Sequence, residues 1–173
     1  MSTAVDTKEG KLILDSHKLS YHMDRVQAWE SGERIAPISV DMALTRACGA
    51  MCTLCYAMVQ ESQERSSVKT PVALKLVDDF ERLGIRSVSL VSDGESTLSP
   101  AYVPFIKHAY DAGIDVGNGT NGWEWEPEKI EQVLPYLTWV RFTVAAGRPN
   151  TYADMMYKGP EHTQVFDRAM AKY

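Results

Sequence analysis

The chain has 173 residues, which is the size of one ordinary domain and enough to bury about two-thirds of its unfolded surface. Its 45% hydrophobic and 24% charged residues are typical of a globular protein in water. The formal net charge of −5 gives no field that favours nucleic acid or an anionic membrane, so we expect neither as a partner. No run approaches the ~20 apolar residues of a membrane span, and the N-terminus lacks a signal-peptide core, so the cytoplasm is the expected location.

Residues 1–36 are interpreted as a lead-in, with a short amphipathic stretch over residues 18–32 that ends at Gly32. After Pro37, apolar residues alternate with small or polar ones, which predicts a first strand. The apolar members of this strand are Ile38, Val40, Met42 and Leu44.

From the first strand onward, helical and strand patterns alternate along the chain. Helices are predicted to begin at Thr70, Ser99 and Pro127, and a fourth includes Phe166, Ala169 and Met170. Their apolar stripes are Val72, Leu76, Val77, Phe80 and Leu83, then Val103, Ile106 and Tyr110, then Ile130, Val133, Leu134 and Leu137. Strands are predicted at 87–91, 114–116 and 139–144, the second closing in a turn at Gly117-Asn118-Gly119.

This alternation predicts an α/β fold with a parallel sheet, built from about four βα units within a core domain of residues 37–173. In parallel α/β folds, ligands bind at the carboxyl ends of the strands. The loops that follow the predicted strands are therefore the expected site.

All three cysteines lie within eight residues, in the sequence Cys48-Gly-Ala-Met-Cys52-Thr-Leu-Cys55. This clustering argues against a disulfide framework, which spreads an even number of cysteines along a secreted chain. A C-x3-C-x2-C loop allows three thiolates to hold three corners of a 4Fe–4S cluster. The fourth iron then has no protein ligand and is open to a substrate or cofactor.

A zinc site with three cysteines and one histidine is the alternative interpretation of the same loop. It requires a nearby histidine, and all four are remote in sequence: His17, His22, His108 and His162. The residues by themselves leave both kinds of metal site open.

A C-x3-C-x2-C loop after the first strand of a βα series resembles the radical S-adenosylmethionine (SAM) superfamily. The resemblance implies a partial (β/α) TIM-like barrel in which Cys48, Cys52 and Cys55 bind a 4Fe–4S cluster and SAM chelates the open iron. It also implies an oxidoreductase-type enzyme that reductively cleaves SAM to a 5′-deoxyadenosyl radical, which abstracts hydrogen from a substrate. The resemblance covers residues 37–170 and is greatest to the SPASM-like group of enzymes that modify peptides and metabolites.

Two further segments after predicted strands carry the resemblance and imply contacts to SAM. Asp93-Gly94-Glu95-Ser96 is similar to the G-G-E-P segment that holds the SAM amino group, although Asp93 and Ser96 depart from the usual Gly and Pro. Gly94 suits close approach of backbone to a ligand, and Glu95 is an anionic acceptor for an amine. Gly119-Thr120-Asn121-Gly122 resembles the T-N-G ending of the third strand, which places Asn121 near SAM.

The remaining implied SAM contacts lie near the fourth strand and the third cysteine. Thr143 stands where the family has a SAM-contacting serine, and Ala145 replaces an aspartate. Leu54 stands where the family has an aromatic residue close to adenine, and Tyr56 is the residue expected to compensate.

The family's barrel has six βα units, whereas about four are recognisable before Tyr173, so we expect an incomplete core. A zinc-stabilised binding module and a non-catalytic radical SAM-like fragment therefore stay open as alternatives to an enzyme. For an enzyme we expect a small-molecule or peptide substrate and an electron donor such as flavodoxin or ferredoxin.

Overall fold

The computed structural model describes residues 4–7, 10–13, 19–56, 66–91 and 93–156. Its strands are β1 (Ala4–Thr7), β2 (Gly10–Ile13), β3 (Ser39–Asp41), β4 (Ser87–Leu90), β5 (Asp115–Thr120) and β6 (Trp139–Phe142). Its α-helices are α1 (Met23–Glu30), α2 (Thr70–Leu83), α3 (Tyr102–Asp111), α4 (Pro127–Val133) and α5 (Pro149–Met156). Within the described residues, no helix is long and apolar enough to cross a membrane.

Strands β3 to β6 form one parallel sheet in the order β3-β4-β5-β6, so each strand pairs with the next along the chain. Parallel neighbours need a crossover connection, and α2, α3 and α4 lie between consecutive strands. With α5 after β6, the chain makes four successive βα units. The predicted α/β class and partial β/α barrel are confirmed.

The main core lies between one face of this sheet and helices α2, α3 and α4. Residues on β4 alternate between the two faces, so that Val88 and Leu90 enter the core while Ser87 and Ser89 do not. A cavity of about 280 Å³ lies on the other face, near the first residues of the strands. Its lining includes Ser39, Ser87, Ser89, Asp115, Gly117 and Trp139. It lies at the opposite end of the strands from the expected site.

The helix starts at Thr70 and Pro127 follow the prediction, whereas α3 begins at Tyr102 and not at Ser99, because Ser99 has extended backbone at φ −72° and ψ 135°. Helix α2 has Pro71 in its first turn and is followed by Gly84 in the left-handed conformation at φ 72°. Helix α4 begins at Pro127 as expected. Gly113 has a φ of 70° just after α3, again as expected for a residue that ends a helix.

The turn predicted at residues 117–119 is wrong, because β5 continues through it to Thr120. Gly117 lies beneath the indole of Trp139, and a Cβ there would come within 2.0 Å of that ring. Asn118 is fully buried and pairs in register with Leu90 and Val140. Contact with both neighbouring strands overrides the local turn preference of this tripeptide.

Other predictions need smaller corrections. Tyr110 was expected on the buried stripe of α3 but is 55% exposed, because Tyr102, Phe105, Ile106 and Ala109 fill that face. Val72 and Leu83 of α2 are also exposed. The hairpin of β1 and β2 and the helix α5 were not predicted. The helix predicted around residues 166–170 lies outside the described residues, and the division at residue 36 stays a prediction.

Candidate functional site

The cysteine loop, residues 48–55, follows β3, and the chain on its two sides is hydrogen-bonded together. The N–H of Arg46 donates to the carbonyl of Ser66 at 2.9 Å, and the N–H of Val68 donates to Leu44 at 2.9 Å. The hydroxyls of Thr45 and Ser67 are 2.6 Å apart. Because both sides are fixed, the thiols have a defined position at the carboxyl end of the sheet.

Gly94 brings the segment after β4 into backbone contact with the segment after β3. Its φ of 75° suits glycine, and a Cβ there would lie 2.2 Å from the carbonyl oxygen of Thr45. The next residue, Glu95, donates its N–H to the carbonyl of Ala47 at 2.8 Å. Ala47 directly precedes Cys48, so this contact holds the start of the cysteine loop.

The Glu95 side chain is only 3% exposed and joins the ends of β4 and β5. One carboxylate oxygen accepts from the hydroxyls of Thr97 at 2.8 Å and Thr120 at 2.9 Å, and the other accepts from the N–H of Asn121 at 2.8 Å. Burial raises the pKa of Glu95, and this effect is larger than that of the hydrogen-bond donors, which lower the same pKa. Both oxygens of the Glu95 carboxylate thus accept hydrogen bonds from the protein itself, which the sequence did not indicate.

Asn121 connects this network to the first cysteine. Its side-chain oxygen accepts from the N–H of Trp123 at 2.9 Å, in a turn that also explains its Asn-Gly sequence. That bond orients the amide so that its nitrogen lies 3.7 Å from the sulfur of Cys48. Cys48, Glu95 and Asn121, which were predicted separately, therefore belong to one connected group.

The other predicted SAM contacts differ in their surroundings. Asp93 pairs with Arg46 at 3.7 Å, and the buried Ser96 hydroxyl accepts from the N–H of Leu44 at 3.4 Å. Thr143 is half-buried, and its N–H donates to Thr120 at 2.8 Å. The side chains of Leu54 and Tyr56 are 56% and 58% exposed.

A single metal ion and a cubane cluster make different demands on the three cysteines. Among the described residues, no three His, Cys, Asp or Glu side chains form a group that could hold one ion. His108 is also bonded elsewhere, 2.7 Å from Asp78. A cubane presents a different iron to each thiolate, so its ligands surround it without converging on one atom. The three free cysteines lie half-buried on one loop.

Two of the three cysteines, Cys48 and Cys52, hold their protons more tightly than an ordinary thiol. Burial raises the pKa of Cys48 to about 12, and burial together with the neighbouring Cys55 raises the pKa of Cys52. Thiolates are the metal-binding form, so loading the loop with iron must release protons.

Residues that sequence reasoning missed hold the site together. Thr97 and Thr120 supply the hydroxyls on Glu95, and Tyr152 and Met156 of α5 form a small core beneath the cysteine loop with Trp123. The Arg148-Pro149 dipeptide was an available signal for α5, since proline is favoured in the first turn of a helix.

Replacing Glu95 with glutamine is expected to lower the free energy of unfolding by about 1–3 kcal/mol, because an amide nitrogen would face buried donors. Urea unfolding of the metal-free protein measures the change. Glu131→Gln, at an exposed glutamate of α4, is the matched control and should stay within about 0.5 kcal/mol of wild type. An equal, small effect of both substitutions would contradict the role of Glu95.

The Glu95 substitution also has an expected pH dependence. Because the pKa of Glu95 is raised on folding, the native state binds its proton more tightly than the unfolded state. This group's contribution to stability is complete below the unfolded pKa of about 4.3 and is lost as pH rises through the folded pKa. The stability difference between wild type and Glu95→Gln should therefore shrink as pH rises, and urea unfolding at several pH values measures it.

Comparison with known proteins gives structural matches only. No protein-family model matches the chain, and no curated protein matches it in sequence. Streptococcus suis SuiB bound to S-adenosylmethionine matches with a TM-score of 0.64 at 14% identity, over 85% of this chain and 35% of that one. SuiB bound to the precursor peptide SuiA matches with a TM-score of 0.63 at 15% identity, over 95% of this chain and 38% of that one.

BtrN in complex with AdoMet and 2-DOIA matches with a TM-score of 0.55 at 14% identity, over 64% of this chain and 47% of that one. The chain thus spans between about a third and a half of the length of these proteins. The matched structures are radical SAM enzymes, and what the chain shares with them at this identity is the fold.

Proposed function

We propose that this chain is a radical SAM enzyme core that binds a 4Fe–4S cluster on Cys48, Cys52 and Cys55. The observation that carries the proposal is the connected group of Cys48, Glu95 and Asn121 at the carboxyl ends of β3, β4 and β5. The shared fold supports it, because three distant sequence segments come together at the edge where parallel α/β folds bind ligands.

SAM is proposed to bind at this same edge. Asp93, Gly94, Glu95 and Ser96 would lie toward its amino group, with the role of Glu95 exerted mainly through the strand ends that it joins. Further contacts are proposed from Asn121, Thr143, Leu54 and Tyr56. The exposure of Leu54 and Tyr56 leaves their apolar surfaces accessible to an adenine ring.

Held by Cys48, Cys52 and Cys55, such a cluster would supply one electron, taken from an external donor, for reductive cleavage of the S–C5′ bond of SAM to methionine and a hydrogen-abstracting 5′-deoxyadenosyl radical. The donor is proposed to be of the flavodoxin or ferredoxin kind. The chain's own residues hold the thiols and close the strand ends around them. A peptide or small-molecule substrate is proposed, since SuiB is bound to a precursor peptide in one matched structure.

The test is anaerobic reconstitution of the wild-type chain with iron and sulfide. We expect about four irons per chain, broad absorbance at about 400 nm, and equal yields of methionine and 5′-deoxyadenosine once SAM and dithionite are added. One bound zinc and no iron would favour the zinc-stabilised module instead. A complete cluster that leaves SAM intact would identify a non-catalytic radical SAM-like fragment.

A further inference from the structure

We propose that helix α5 is a positioning element for the cysteine loop: its buried residues Tyr152 and Met156 keep Cys52 in place, and its carboxyl end keeps the reduction potential of the cluster low. The inference rests on the proposed cluster for its redox part only. Its structural part concerns contacts within the protein itself and is testable without metal.

The carboxyl end of α5 accepts hydrogen bonds from the cysteine loop. The N–H of Met51 donates to the carbonyl of Met156 at 2.9 Å, and the N–H of Thr53 donates to the carbonyl of Met155 at 2.8 Å. Carbonyls in the last turn of a helix have no partner within the helix, so they are free to accept. The two donors are the amides on either side of Cys52, so the backbone on both sides of this cysteine is hydrogen-bonded to α5.

Side chains of α5 reach the cysteines from the same direction. Met156 is fully buried, and its sulfur lies 3.5 Å from the sulfur of Cys52. Tyr152 is also fully buried, and its hydroxyl accepts from the indole N–H of Trp123 at 2.9 Å. Through Trp123 and its bond to Asn121, α5 is connected to the Cys48 side of the loop as well.

This arrangement has an electrostatic consequence for a cluster on the loop. Hydrogen bonds to the sulfurs help to set the reduction potential of an iron–sulfur cluster, together with charge and solvent exposure. The amides of Met51 and Thr53 are directed to α5, and the carboxyl end of a helix carries partial negative charge. Both features disfavour an added electron, so α5 should keep the potential low, as a cluster that reduces a sulfonium requires.

The structural part is tested by hydrogen exchange in the metal-free 173-residue chain. The amides of Met51 and Thr53 should exchange at least about tenfold more slowly than in Tyr152→Phe, which lacks the acceptor for Trp123. Tyr110→Phe, at an exposed tyrosine of α3, is the control and should leave these two amides unchanged. Unprotected amides in wild type, or the same protection in Tyr152→Phe, would overturn the inference.

The redox part is tested on the reconstituted protein by a potentiometric titration followed by electron paramagnetic resonance. Met156→Gln places an N–H donor beside the sulfur of Cys52. At a fixed applied potential, this variant should have a ratio of reduced to oxidised cluster about tenfold higher than wild type, which corresponds to a reduction potential about 59 mV higher. Met156→Leu keeps the apolar bulk and should match wild type. A Met156→Gln potential equal to that of wild type would overturn this part. Failure of wild type to take up iron would instead overturn the proposed function, while hydrogen exchange still decides the structural part.

Discussion

Replacing Cys52 with alanine is expected to abolish SAM cleavage and to reduce the iron content of the reconstituted chain from about four atoms to less than one. With Cys52 gone, two thiolates remain, and they are too few to hold a cubane that already lacks one protein ligand. Iron and sulfide analysis, absorbance at about 400 nm and the yield of 5′-deoxyadenosine measure the loss.

The matched control is Met51→Ala, which changes a 45% exposed side chain in the same loop and leaves the backbone N–H that bonds to α5. This variant should keep its iron. Urea unfolding of the metal-free Cys52→Ala protein separates loss of a ligand from loss of the fold, since Cys52 is only half-buried. A Cys52→Ala protein that binds iron and cleaves SAM like wild type would refute the assignment of this cysteine.

Replacing Gly94 with alanine should lower the free energy of unfolding by about 3 kcal/mol or more. Two penalties add together: the positive φ of 75° is unfavourable for alanine, and the new Cβ would lie 2.2 Å from the carbonyl oxygen of Thr45. Relief requires the backbone at Thr45 and Arg46 to move, which displaces the start of the cysteine loop. We therefore expect reduced cluster occupancy as well as reduced stability.

Gly113→Ala separates the two penalties. Gly113 has a φ of 70°, and no atom lies within 4 Å of the Cβ position, so only the conformational cost of about 1 kcal/mol remains. Urea unfolding of both metal-free variants, followed by iron analysis after reconstitution, gives the comparison. Equal destabilisation by the two substitutions would show that the contact of Gly94 with the segment after β3 carries no energy.

The residues of the candidate site are held by short segments that follow separate strands. Glu95 joins the segment after β4 to the end of β5 and, through its N–H, to the residue before Cys48. Its partners Ala47, Thr97, Thr120 and Asn121 lie after β3, after β4 and at the end of β5, so Glu95 links these three places. That coupling explains why stability and cluster binding are expected to change together at Gly94.

Features that depend on residues close together in the chain could be predicted from the sequence. The C-x3-C-x2-C spacing placed three thiols on one loop, and Pro71 and Gly84 gave the bounds of α2. Alternating strand and helix patterns gave the parallel α/β class, which the sheet order confirms. Periodicity and capping act over about four residues, so no tertiary information is needed to recognise them.

Contacts between groups far apart in the chain could not be predicted in this way. The Glu95 carboxylate finds Thr120 across 25 positions, and the sulfur of Cys52 meets Met156 across 104. Residues 117–119 form a strand and not a turn, because Trp139 and Val140 of β6 pack along them. Such contacts arise from the sheet order and the packing of helices on it, so local preference can be overruled wherever a neighbouring element supplies the partner.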